Sequence, residues 1–137
     1  MTALSVARAT PRRSGPNISV PVAAATTIFG GSLVAVLDTG GYACPAGTAN
    51  SGPAIGVAKE TVVNSGAAAA VNVELEVGIF RFGNSASTDL IARTEISKTC
   101  YVVDDQTVAK TDNSAARDRA GIVADVDAQG VWVAVGR

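Results

Sequence analysis

Histidine is absent from this chain. Its absence removes the commonest general base and metal ligand, so a serine or cysteine nucleophile has no imidazole to activate it. Cysteine is scarce as well: Cys44 and Cys100 stand alone and far apart, which is not the spacing of a metal site. Buried reduced thiols acting as small hydrophobes are the main expectation for them, and a single disulfide is the alternative. Aromatic residues make up only 4% of the chain although 47% is apolar, so the core has to be built from Val, Ile, Leu and much Ala. Charged residues are 17%, below the roughly 25% usual in globular domains. A surface so poor in charge suits a chain packed against copies of itself or other partners. Long apolar runs are missing too. Residues 14–37 carry no charge and follow two arginines, as in a signal peptide, but Pro16, Pro21, Thr26, Thr27, Gly30 and Gly31 interrupt them. The longest clean piece, Leu33 to Leu37, is strand-sized and far short of the ~20 residues needed to span a bilayer. The expectation is a protein made and used without secretion and without a membrane.

The charge that is present is unevenly placed. Arg8, Arg12 and Arg13 lie in residues 1–13 with no acid among them, leaving 8 basic groups against 12 acidic ones in the rest. A basic arm on an acidic body fits an acidic protein surface. It does not argue for nucleic acid, because phosphate binding grows with the number of charges neutralised and three arginines are few.

Length bounds the organisation. A chain of 137 residues forms one domain, or one domain with an arm, and can bury a single core without metal or disulfide. Residues 1–17 have no periodicity and read as an extended basic arm, and residues 18–137 as one β-rich domain. From Ile18 onward the signals are those of strands. Ile18, Val20 and Val22 alternate with smaller or polar residues, and Pro21 marks an edge or a strand end. Val71 to Val77 alternates strictly, Val and Leu against Asn and two Glu, before Gly78 permits a bulge or bend. Ala67 to Ala70 favours helix by propensity but is too short to stand alone. Leu90–Ser97 and Ser114–Arg119 each have room for one helical turn. The clearest unit is Ala120 to Val135. Ile122, Ala124 and Val126 alternate with Val123, Asp125 and Asp127; Asp127-Ala128-Gln129-Gly130 has turn chemistry; and Val131 to Val135 is apolar throughout, as a strand covered on both faces would be. About ten short strands with turns every 8–12 residues predict an all-β fold, a small sandwich or barrel-like domain.

Catalytic readings are weak. Leu37-Asp38-Thr39-Gly40 matches the Asp-Thr-Gly of a homodimeric aspartic protease, whose chemistry needs two such carboxylates sharing a proton. The flap and the downstream apolar strand of such an enzyme have no counterpart, and the tetrapeptide reads better as a hairpin turn. Asp104, Asp105, Asp112, Asp125 and Asp127 lack the ligand spacing of a calcium loop and read as solvated turns. No Gly-rich phosphate loop follows a strand and opens a helix. The chain is expected to be no enzyme and to need no cofactor.

Several blocks carry a resemblance. They are Thr10-Pro11-Arg12-Arg13, Pro21-Val22-Ala23-Ala24, and Gly78-Ile79-Phe80-Arg81-Phe82-Gly83-Asn84-Ser85. Tyr101 to Thr111, reading YVVDDQTVAKT, and Val126 to Val133, reading VDAQGVWV, complete them. In this order the chain resembles the capsid cement, or head decoration, proteins of tailed phages, of the type found in Mu-like phages and prophages. The match is weakest over residues 45–70. What the resemblance implies is a structural virion protein, assembled in the host cytoplasm, on the outer surface of an icosahedral head. It would bridge major capsid subunits, most often as a homotrimer and otherwise as a dimer. Arg8, Pro11, Arg12 and Arg13 would then belong to a capsid-binding arm, and Phe80, Phe82 and Trp132 are candidates for the interface between copies. Another virion β-module, of the tail or for receptor binding, is the alternative, with the Asp38 protease a distant third.

Overall fold

The computed structural model describes residues 2–9 and 15–136. The fold is all-β, as the sequence predicts, with twelve short strands and two single 3-10 turns among the described residues. The strands are β1 (Asn17–Pro21), β2 (Thr26–Ile28), β3 (Leu33–Val36), β4 (Ala43–Pro45), β5 (Gly56–Ala58) and β6 (Val62–Asn64). They continue as β7 (Asn72–Glu76), β8 (Gly78–Asn84), β9 (Thr99–Asp104), β10 (Thr107–Ala109), β11 (Arg119–Asp127) and β12 (Gly130–Val135). The 3-10 turns are Ser87–Asp89 and Arg93–Glu95.

These strands make three layers. In the middle lies a five-stranded sheet in the order β1-β7-β5-β3-β4. On one side is a closed five-stranded barrel in the order β10-β8-β12-β11-β9, shut by the parallel pairing of β10 with β8. On the other is a two-stranded ribbon of β2 and β6. The β5-β3-β4 part of the middle sheet is therefore buried on both faces, and its composition shows it, whereas β1 and β7 keep one face toward water. Along β3, Leu33 and Ala35 join the barrel core while Val34 between them joins the core against the ribbon. The strand needs no polar alternation because neither face meets water. Cys44, Ala46, Ala54 and Val57 pack with Leu33 toward the barrel; Ala43, Ala58, Val73 and Leu75 pack with Val22 and Ile28 toward the ribbon. Small side chains on both faces let three layers close on one another, which accounts for a core rich in alanine and poor in aromatics.

Strand β7 keeps its predicted alternation, with Val73 and Leu75 buried and Asn72 and Glu74 exposed. Gly78 marks a change of sheet rather than a bulge within one strand. Only Val77 separates β7 in the middle sheet from β8 in the barrel, and Gly78 takes φ +156° there. Residues 114–119 form no helical turn. Asn113, Ser114 and Ala115 all have positive φ, a run that side-chain-bearing residues adopt only in turns. Ala67–Ala70 is likewise a turn, held by Ala70 N–H donating to Ala67 O.

The terminal hairpin departs from its sequence reading in two ways. β12 is buried on one face only: Val131, Val133 and Val135 fill the barrel, while Trp132 and Ala134 lie half-buried on its outer wall. On β11 the strict alternation is broken by a bulge at Ala124, since Val123 pairs with Val133 but Asp125 pairs with Trp132. Without the extra residue Asp125 would point into the barrel. The bulge reverses the phase, so Val123 and Val126 face inward and Asp125 faces water. The aspartate is what makes that shift favourable, because a buried unpaired carboxylate costs far more than one irregular pair.

Candidate interaction surfaces

The arm is reached first. Residues 2–9 are exposed throughout, among them Leu4 at 71%, Val6 at 75% and Arg8. Pro11, Arg12 and Arg13, the rest of the predicted capsid-binding set, lie outside the described residues. The chain enters the body where Pro16 O accepts the N–H of Val77 at 2.8 Å, and β1 then pairs with β7 from Asn17 onward. The body thus begins at Pro16, one to two residues earlier than the sequence boundary.

The three candidate interface residues do not share a face. β8 pairs with β12 so that Phe82 opposes Val131 and Phe80 opposes Val133, and both valines point into the barrel. Phe82 is 5% exposed and belongs to the barrel core; it presents nothing to another molecule. Phe80 points the same way and packs, half-buried, against that core. Trp132 faces outward. The sequence reading chose the aromatic residues of β8, whereas the outer wall is made by their neighbours Ile79 and Arg81. The inward register of Val131, Val133 and Val135 is the signal that separates the two sets, and it becomes readable only once β8 is known to pair with β12.

Trp132 is held from two sides. Its Nε1–H donates to Asp127 Oδ2 at 2.8 Å, and the Arg81 guanidinium lies over the indole, 5.7 Å from the ring centre. Asp127 also accepts the N–H groups of Gln129 and Gly130 through Oδ1, which fixes the β11–β12 turn. These hydrogen bonds, that from Trp132 first, hold the Asp127 carboxyl below its usual range. Asp125 pairs with Arg93 at 3.0 Å and accepts the N–H of Val126.

The other groups singled out in the sequence fall elsewhere. Asp38 is exposed in the loop joining β3 to β4, where its N–H donates to Asn50 O. Asp104 Oδ1 accepts the N–H of Gln106 in the β9–β10 turn. Asp89 accepts from Thr111 and pairs with Arg117 at 3.2 Å, and Thr111 is the leading cause of its lowered pKa. Among the described residues no three His, Cys, Asp or Glu side chains gather as metal ligands would. Cys44 and Cys100 are both free and buried, each donating weakly to a carbonyl, Ala35 and Gly121 respectively. Burial pushes both thiols up, Cys100 to about 11.

Concavities are shallow. An apolar one of about 370 Å³ is lined by Ala23, Leu37, Tyr42, Cys44, Pro45 and Ala68. A polar one of about 200 Å³ includes Thr48, Asn50, Ser51 and Arg117, but that arginine is already held by Asp89. Exposed apolar side chains stand out more: Phe29 and Val63, each 61% exposed, about the ribbon, and Ile79, 58% exposed, on the barrel.

Comparison of the chain with protein-family models, with curated proteins and with solved structures finds no match in any of the three.

Proposed function

We propose that this chain is a structural protein of a tailed-phage particle, a cement protein that binds the outer surface of the icosahedral head and bridges neighbouring major capsid subunits. The observation that carries the reading is the pairing of an exposed basic, apolar arm with a compact β body. An arm bearing Leu4, Val6 and Arg8 in the open has side chains suited to a partner surface and no use for them alone. Arg8, Arg12 and Arg13 would meet carboxylates of the capsid protein while Leu4 and Val6 enter apolar recesses. The body would act as a rigid cap. Three packed layers of short strands, with every buried side-chain nitrogen and oxygen among the described residues hydrogen-bonded, suit a part that bears load rather than one that changes shape. Catalysis has no place in this reading, and the partners are the major capsid protein and further copies of the chain.

Location on the particle tests the proposal. Gold-labelled antibody against the chain, viewed on intact virions by electron microscopy, should decorate heads at regular positions. Label confined to tails or fibres would instead favour a tail or receptor-binding module.

A further inference from the structure

The outer wall of the barrel across β8, β12 and β11 carries two ordered rows of side chains. Because Val131, Val133 and Val135 face inward, Trp132 and Ala134 face out, and the register carries their neighbours with them. One row reads Ile79–Ala134–Ile122 and is wholly apolar, with Ile79 58% exposed. The next reads Arg81–Trp132–Asp125: a cation, an indole and a carboxylate. A barrel wall that faced only water would carry polar groups at such positions.

The order within the rows specifies an occupant. Arg81 lies on one side of β12 and Asp125 on the other, with Trp132 between. A half-turn about an axis running along β12 lays a second copy face to face with the first. That operation sets β8 of each copy over β11 of the other. Arg81 then meets Asp125 of the second copy, Ile79 meets Ile122, and Trp132 and Ala134 meet their own counterparts. Every favourable contact off the axis occurs twice, as an isologous interface requires. The Arg93–Asp125 ion pair does not prevent this, because an exposed pair contributes little and leaves the carboxylate able to accept a second cation.

We propose that this face is the docking surface for a second copy of the chain, forming a two-fold dimer about β12. The proposal deepens the self-association within the proposed function, and chooses the dimer over the trimer, but it does not depend on a phage head. Trp132 at the centre, with Arg81 over its ring, is the aromatic and arginine anchor typical of interface hot spots.

Sedimentation equilibrium of the purified full chain tests it, using wild type, Arg81→Asp, Asp125→Arg, the double swap and Ile79→Lys, with far-UV circular dichroism to confirm folding. The wild type should sediment as a dimer, and emission from Trp132 should shift to the blue as concentration rises. Each single charge swap sets like charges against each other and should raise the dissociation constant by about tenfold or more. Ile79→Lys should weaken the dimer similarly, and the double swap should restore it. A wild type that is monomeric at all concentrations overturns the proposal. So does an oligomer that folded single variants leave intact, or a double swap that associates no better than the singles. Loss of head binding by these variants would bear on the proposed function and leave this result unaltered.

Discussion

The carbonyl of Ala134 occupies the space into which any side chain at Gly121 would project. In a barrel of five strands the backbones of β11 and β12 approach too closely for a Cβ there, and Val133 Cγ1 crowds the same point. Gly130 stands in the same relation to Phe82 O on the other neighbour of β12. The closure of the barrel thus depends on two glycines, Gly121 on β11 and Gly130 at the start of β12.

Gly121→Ala should consequently destabilise the fold by about 1–3 kcal/mol or more, the usual range for overpacking a core. Urea denaturation followed by Trp132 emission measures it. An unchanged midpoint would mean that β11 can move away without loss.

Asn64 provides a second structural test. It is 2% exposed, and its Nδ2 donates to Val22 O at 3.2 Å, Ala23 O at 2.9 Å and Ala67 O at 3.0 Å, while Oδ1 accepts the N–H of Gly66. One side chain thereby ties the ribbon to the start of the middle sheet. Asn64→Ala takes the partner from Ala23 O and from the N–H of Gly66, while Val22 O and Ala67 O keep the N–H groups of Ala69 and Ala70. It should lower stability by about 1–3 kcal/mol, read from the same denaturation curves.

The thiols carry a pH signature. Cys100 is raised from 9.0 to about 11, chiefly because burial disfavours the thiolate. Its contribution to stability is therefore complete below pH 9 and is lost as pH rises toward 11, where the unfolded chain releases a proton that the folded chain keeps. Cys100→Ala should show a shallower loss of stability over that interval than wild type. In the native state neither thiol should react with a disulfide reagent, and both should react after unfolding.

Trp132 reports on Asp127. Hydrogen bonds from the indole and from the turn hold that carboxyl below its ordinary value. The stabilisation they give is present above the unfolded pKa and disappears as pH falls through the lower folded one. Emission from the single tryptophan should therefore titrate on the acid side of an ordinary aspartate, and Asp127→Ala should abolish the transition.

Much of this fold was legible in the residues because strand periodicity is local. The Val71–Val77 alternation led directly to β7, and the Asp127–Gly130 turn to the last hairpin. What was illegible depended on pairing between distant segments. The uniform apolarity of Val131–Val135 suggested two covered faces, but the outer members Trp132 and Ala134 belong to a wall whose composition is set jointly with Ile79, Arg81 and Ile122. The bulge at Ala124 reversed the phase of β11 after Val123, which no alternation rule run through Asp125 could place. Phe80 and Phe82 entered as interface candidates because the resemblance implies an interface made by apolar strand residues. Parity against β12 turns Phe82 into the core and brings out the arginine between them.

The central claim, that the arm fastens this body to a phage head, is tested most directly by co-sedimentation with purified cognate heads lacking the protein. The full chain and a form without residues 1–15 should be compared at rising salt. The truncation spares Pro16 and β1, so the body should remain folded by circular dichroism. The account predicts saturable binding of the full chain in a fixed ratio to capsid protein, weakening with salt, and little or no binding by the truncated form. Equal binding by both forms, or no binding by the full chain, would contradict it.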